Sequence, residues 1–420
     1  MSFRTSLSGL DAASTDLSVI GNNIANASTN GFKESRAEFV DVFATTFSGV
    51  SGNTPGSGVR VATIEQQFGQ GNIEFTSSSL DLAISGEGFF ILSDDGSNAY
   101  TRAGAFSTDR DGFVTDSSGR QLQVFSANEN GTFNTGSLAS LQLSTSDSSP
   151  NATTKVSPTL NLDATQEIPT SSVFDPNDAD SFNHSTSTKV YDSLGNQLDA
   201  TMYYVASDPA TNTWQVHTYV DGNPLTLSTG ADAFVTMTFT GEGLFQDTTT
   251  TTAGTTTSGQ VAFDNYVSTN GASDLVLTFD YSESTQFGGE FSVNAIPQDG
   301  FSSGRLSGID IDKSGIVFAR FTNGQSNVLG QVALASFPNS QGLRQLGDSS
   351  WAETFSAGDR VVGSPASSGL GSIQSGALEA SNVDIATQLV SLITSQRNFQ
   401  ANAQAITTQN EIQQAIINIR

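Results

Sequence analysis

Two stretches at opposite ends of the chain share one hydrophobic rhythm. From Ile385 onward, apolar residues recur at alternating steps of four and three: Ile385, Leu389, Leu392, Phe399, Ala403, Ile406 and Ile417. Gln396, Asn410 and Gln413 fill the remaining places of that series. Such spacing keeps side chains on one helical face, here a heptad stripe with polar interruptions. Ser381-Asn382-Val383-Asp384 has the hydroxyl-to-carboxylate spacing of a capping box, which predicts a helix entered at Ser381. With no Gly or Pro after Ser381, the helix is expected to run to the end, about 55 Å. Phe3, Leu7, Leu10, Leu17 and Ile24 form a second four-three series, with Ser14 and Gly21 between them. It predicts an amphipathic helix that stops near Asn30-Gly31. Scattered Ser, Thr, Asn and Gly give this segment poor helix propensity, so packing must order it. Matching heptads predict that the two helices pair as a coiled coil, within one chain and with neighbouring copies. The plainer alternative is a helix docked on its own globular domain.

Between the ends the rhythm shortens to two. Residues 32–70 read as extended and irregular, with Gly49, Gly52, Pro55, Gly56 and Gly58 making a flexible stretch. From Phe68 short apolar runs alternate with Gly- and Asp-rich turns: Ile73 to Phe75, Leu80 to Ile84, Phe89 to Leu92, and a hairpin of Phe113 to Thr115 with Gln121 to Phe125. A Ser-, Thr- and Pro-rich segment from Ser144 to Pro158 marks a boundary. Thr186 to Tyr191, Leu198 to Val205 and Thr213 to Val220 then predict an antiparallel meander. The Thr run from Thr248 to Thr257 predicts an exposed loop. Strands resume from Ile309 to Phe337, and Gly358 to Gly376 reads as a linker into the last helix.

The expected fold is mixed α and β, mainly β: terminal helices paired as a coiled coil, and two antiparallel β domains nested in the chain. The helical domain takes residues 1–30 and 382–420, and extended connectors take 31–70 and 358–381. The inner β domain takes 71–148 and 292–357, and the inserted outer β domain 149–291.

Net charge is −26, and its placement matters more than its size. Arg4, Asp11, Asp16, Lys33, Glu34 and Arg36 cancel, as do Asp384, Arg397, Glu411 and Arg420. The whole excess lies between residues 37 and 381. An acidic body argues against nucleic acid, and neutral ends can meet copies of themselves without repulsion. The absence of cysteine excludes disulfides and Cys-bound zinc. Apolar runs are too short to span a bilayer, and Met1 to Leu10 does not read as a cleavable signal. His184 and His217 lack a nearby triad signature. Asp109 to Gly112 and Asp310 to Asp312 fall short of a calcium loop and read as turns. Nothing requires an enzyme, cofactor or metal; a secreted β-rich hydrolase and an adhesin are the competing classes.

The patterned stretches also carry a resemblance. Ser8-Gly9-Leu10, Val19 to Asn26 and Asn30-Gly31-Phe32-Lys33 are similar to the N-terminal signature of bacterial flagellar rod and hook proteins. Leu80 to Phe90 and Tyr100-Thr101-Arg102-Ala103-Gly104-Ala105-Phe106 resemble their shared β motifs, and Gly376 to Asp384 with Gln396 to Ala403 their C-terminal signature. The large insert, Val190 to Asn196, Val328 to Val332 and the Trp351 segment resemble the hook-type members; a distal-rod-like axial protein is the alternative within the family. The resemblance implies a homopolymer in a curved hollow tube, a universal joint outside the cell. It implies export through the flagellar type III apparatus without signal cleavage. Its implied partners are a hook cap, the distal rod protein and hook–filament junction proteins, with no membrane insertion. On this basis Phe3, Leu7, Leu10, Leu17, Ile24, Ile385, Leu389, Leu392, Phe399, Ala403 and Ile406 are the expected polymerisation residues. The polar, uncharged Gln400, Asn402, Gln404, Gln409 and Gln414 are the candidate channel lining, and Gly52, Gly56, Gly58, Gly369 and Gly371 the candidate hinges.

Overall fold

The structure, a computed structural model, describes residues 3–42, 56–94, 96–128, 132–143, 147–171, 173–227, 234–249, 259–367 and 369–418. It divides into two compact units. One holds Met1–Thr145, Ser307–Arg320 and Ser326–Arg420; the other holds Ser146–Leu306 and Phe321–Gln325.

In the first unit, helix α1 (Phe3–Ala25) pairs with helix α2 (Ile385–Asn418). The cap of α2 is Asp384, not Ser381: the Thr387 amide donates to Asp384 Oδ1 at 3.1 Å. Ser381 instead closes a local turn with the Val383 amide. Helix α1 stops at Ala25, short of the expected Asn30-Gly31; turns follow, and Gly31 stands at φ +68°. A Cβ there would sit 2.4 Å from the Ala103 amide nitrogen, so only glycine lets the chain pass this close.

The helices meet along a seam of small and polar side chains that leaves part of each large apolar stripe outside. On α1 the buried positions include Ser6, Ala13, Ile20 and Asn23. On α2, Gln388 and Ser395 are buried, with Leu392, Phe399 and Ile406 half-buried beside them. Phe3, Leu7, Ile385 and Leu389 remain exposed. Small and polar side chains let two backbones approach where Leu against Leu would hold them apart. The structure thus has the expected pair of helices, with the expected stripes divided: Leu392, Phe399 and Ile406 flank the contact, while Phe3, Leu7, Ile385 and Leu389 stay outside it.

The described parts of the 32–70 span, 32–42 and 56–70, are more ordered than their composition suggests, while Gly49, Gly52 and Pro55 of the expected flexible stretch lie outside the described residues. Strands β1 (Ser35–Asp41) and β2 (Val59–Gln66) form an antiparallel ribbon with an irregularity at Glu38/Phe39. The ribbon packs along α1, where the Val59 amide donates to Ser8 Oγ at 3.2 Å.

The β part of this unit is knitted from both flanks of the chain. The strand Phe89–Asp94 pairs with Ser97–Thr101 and Gln121–Ala127 from the first flank, and with Leu334–Ser336 from the second. Ser350–Ala352 adds to Ser97–Thr101, setting Trp351 opposite Tyr100. The unbroken run Phe89 to Leu92 is explained by burial of both faces. Phe89 and Ile91 join Tyr100, Phe125 and Trp351, while Phe90 and Leu92 join Leu82, Leu122 and Leu334.

The second unit is a six-stranded sheet whose meander runs through His184–Tyr191, Gln197–Asp208, Thr213–Val220, Val235–Phe239 and Phe245–Thr249. Two three-stranded sheets join its core. Each contains one parallel pair, Lys155–Val156 with Thr278–Asp280 and Thr159–Asp163 with Thr285–Phe287, so the unit is not wholly antiparallel. Thr248 and Thr249 belong to a strand rather than a loop, and Thr248 is buried. The rest of that Thr run, 250–257, lies outside the described residues. Met202, Tyr204, Trp214, Met237, Phe279 and Tyr281 fill the core.

Phe279 is fully buried there. Phe279→Ala is expected to cost about 3–5 kcal/mol. The check is a lower denaturant midpoint in the fluorescence of Trp214, which shares that core.

Candidate functional site

The most constrained point in the first unit is the carboxylate of Glu379. It comes from the strand Ala377–Glu379, shortly before α2, and is fully buried. Lys33 Nζ lies 2.6 Å from Glu379 Oε1, and Arg102 Nη1 lies 3.2 Å from Oε2. The Gly71 amide also donates to Oε1, at 2.8 Å, and the Gly31 amide to the Glu379 carbonyl at 2.8 Å. Lys33 donates onward to the Gly69 carbonyl at 2.7 Å, and the Arg102 guanidinium lies 5.4 Å from the Phe89 ring centre. Burial pulls the Lys33 ammonium below its usual 10.5, an effect that the Glu379 carboxylate partly offsets.

A chain of polar contacts leads from this cluster to the helices. The Glu34 amide donates to Asn382 Oδ1 at 2.8 Å, and Asn382 Nδ2 donates to the Gln67 carbonyl at 2.7 Å. Gln388 donates to Glu34 Oε1 at 2.8 Å and accepts from Asn23 Nδ2 at 3.3 Å. Asn23 pairs with the Ser35 backbone through both its amide atoms, at 2.8 and 2.9 Å. Lys33, Arg102, Glu379, Asn23 and Asn382 all lie in the stretches that carried the family resemblance, yet no spacing along the chain relates them. Only charge hinted at the meeting: two cations and an acid sit within apolar or glycine-rich motifs.

The expected site residues divide by exposure. Phe3, Leu7, Ile385 and Leu389 are exposed; Leu10, Leu17, Ile24, Leu392, Phe399, Ala403 and Ile406 are half-buried. Val390, Ile393, Ile412 and Ile416, outside the predicted series, extend the exposed apolar surface of α2. Gln400, Gln404 and Gln414 are exposed and Gln409 is half-buried. Asn402 faces α1 instead: a Cβ on Gly9 would lie 2.7 Å from its Oδ1. Of the glycines, Gly52 lies outside the described residues. Gly58 backs onto Ser8 of α1, and Gly371 is held by the Glu87 carbonyl at 2.7 Å. Gly369 has open space around it, and a Cβ on Gly56 would meet only the Val42 carbonyl oxygen, at 4.0 Å.

The residues weighed as chemistry have structural duties. His217 stacks on Phe174 with ring centres 3.9 Å apart, and His184 on Phe291 at 4.4 Å. Burial lowers the His184 pKa, against a smaller upward pull from Asp163. Asp109 and Asp312 spend their carboxylates on turn amides, of Asp111 and Phe113 and of Ser314 and Ile316. Among the described residues no helix is long and apolar enough to cross a membrane.

Four family models match successive parts of this architecture. They are Flagella basal body rod protein over residues 3–33, Flagellar hook protein FlgE/F/G D1 domain over 83–157, Flagellar basal body protein FlaE D2 domain over 161–301, and Flagellar basal body rod FlgEFG protein C-terminal over 374–419. Helical ends of rod type around nested β domains are the plan of a flagellar axial protein. The flagellar hook proteins FlgE of Salmonella typhimurium and Escherichia coli are each 37% identical to the chain, over 100% of both sequences. That of Borreliella burgdorferi is 32% identical over 100% of this chain and 99% of its own. The chain belongs to the flagellar hook protein family. In fold it is similar to the crystal structure of the Helicobacter pylori flagellar hook protein FlgE2, at a TM-score of 0.52 and 15% identity, over 73% of this chain and 100% of that one. It is a structural subunit of the flagellar hook, not an enzyme.

The buried cluster holds two cations and one carboxylate, which orders its substitutions. Glu379→Gln leaves both cations uncompensated and is expected to cost about 3–5 kcal/mol. Lys33→Met leaves the Arg102–Glu379 pair intact and is expected to cost less. Denaturant unfolding followed at Trp351 checks the ranking.

Proposed function

We propose that many copies of this chain assemble into a curved hollow tube that acts as a universal joint, carrying torque from rod to filament. One observation carries the reading: the terminal helices meet along polar and small side chains and leave several large apolar ones outside. Phe3, Leu7, Ile385, Leu389, Val390 and Ile393 are exposed on the single chain. Apolar patches of this kind mark interaction surfaces, and each Leu or Ile buried by a neighbour contributes about 1.5–3 kcal/mol. Charge cancels within both ends, so copies meet there without repulsion.

On this reading the subunit leaves the cell through the flagellar type III apparatus, without a cleaved signal, and is added beneath a hook cap. It joins the distal rod protein at one end of the tube and junction proteins at the other. Gln400, Gln404, Gln409 and Gln414 line a central channel; uncharged amides neither attract a passing unfolded chain by charge nor trap its apolar segments. Gly56 and Gly369, with room around them, are the better hinge candidates among the glycines.

Purified protein brought to assembly by salt is expected to form curved tubes in the electron microscope. Leu389→Asp with Ile393→Asp, or removal of residues 401–420, should abolish tubes while both β units still unfold at the parent's midpoint. Tubes of normal form from either variant would overturn the reading. Gln400→Lys with Gln404→Lys is expected to assemble but to slow filament growth in cells; growth at the normal rate would remove these residues from the channel.

A further inference from the structure

The contact between α1 and α2 has an internal order. Asn23 meets Gln388 at 3.3 Å, Asp16 accepts from the Ser395 hydroxyl, and Gly9 lies against Asn402. Each step moves seven residues back along α1 and seven forward along α2, so the helices run antiparallel with one polar layer per heptad. The α1 side shrinks along this line, from Asn23 through Asp16 to Gly9. Ala12, Ala13, Val19 and Ile20 on α1 and Leu392, Phe399 and Ile406 on α2 flank the seam three or four positions away.

We infer that Asp16, Ser395, Asn402 and Gly9 are register-setting residues, whose purpose is to forbid the helices from sliding. An apolar heptad seam tolerates a slip of seven residues, about 10.5 Å along the axis, because one layer replaces another. This seam does not. A slip one way brings Asp16 opposite Asn402, where only the hydrogen atom of Gly9 fits. A slip the other way brings Gly9 opposite Ser395 and leaves Asp16 facing Gln388, so the Ser395 hydroxyl loses its acceptor. A displaced polar group within a covered contact costs about 1–3 kcal/mol. The consequence lies on the outer surface. Phe3 and Leu7 lie toward one end of the antiparallel pair and Ile385, Leu389 and Ile393 toward the other, so only one register sets these exposed apolar groups at the same separation on every copy. The inference rests on the proposed assembly, and deepens it by naming what keeps the assembling faces identical.

The chain has no cysteine, so introduced pairs report register directly. Ala13 and Asn398 lie between the Asp16 and Gly9 layers and line one cleft. In the full-length chain, Ala13→Cys with Asn398→Cys is expected to form an intramolecular disulfide under mild oxidation. Ala13→Cys with Ala405→Cys, or with Ser391→Cys, tests the slipped registers and should cross-link about tenfold less. Adding Asp16→Leu with Ser395→Leu and Asn402→Leu is expected to bring a slipped pair up to the level of the in-register pair. Asp16→Asn, which keeps a hydrogen-bonding group, should leave the original preference in place and guards against loss of folding. If slipped pairs stay about tenfold weaker in the apolar seam, or already match the in-register pair in the original, the inference fails. Tube formation by the cysteine-free chain is scored separately, so failure of assembly is distinguished from failure of register.

Discussion

A single buried carboxylate ties together parts of the chain that sequence keeps far apart. The Glu379 oxygens take Lys33 on one side and Arg102 on the other, the Gly71 amide adds a third donor, and the Gly31 amide holds the Glu379 backbone carbonyl. The segment leaving α1, the turn after β2, a β strand's end and the segment entering α2 are thereby held at one point. A buried ion pair adds little net stability over a well-packed apolar equivalent, because desolvation offsets attraction. What it supplies is position. Each charged group finds its partners in one arrangement, and any other leaves a charge buried alone. The roots of both helices therefore leave the β body at a fixed separation, and the polar chain through Asn382, Glu34 and Gln388 carries that placement into the helix pair.

The helix pair inverts the usual economy of a folded chain. Gln388, Ser395 and Asn23 are covered, and Leu389, Ile393 and Phe3 are not. A subunit that sealed its large apolar residues inside would be more stable alone and would have less to offer a neighbour. Here the driving force for burial is left to be realised between copies. The β units do the opposite: Phe90, Trp351, Phe279 and Tyr281 are closed into cores. Stability of the subunit and affinity between subunits are thus assigned to different parts of one chain.

Much of this was legible beforehand because it rests on local pattern. Periods of 3.5 and 2 separate the helical ends from the β middle, and glycine with aspartate marks turns such as Asp109 to Gly112, where the Asp109 carboxylate takes the Asp111 and Phe113 amides. Two features depart from local pattern for the same cause. The helix contact runs along polar and small side chains beside the apolar stripes, and Ser35–Asp41 and Val59–Gln66 form a paired ribbon within a glycine-bearing span. In both, a neighbouring element decides: α2 offers Gln388 and Ser395 to α1, and β1 finds its partner β2 further along the chain.

By itself, then, the sequence determined the kinds of element, their order, the neutrality of the ends and the membership of the family, since each depends on residues close in the chain or on motifs kept whole. The tertiary structure alone decided which face of each helix is covered, which register the pair adopts, and that Lys33, Arg102 and Glu379 meet. Those depend on the size and charge of partners hundreds of residues away, and periodicity within one segment holds no record of what will lie opposite it.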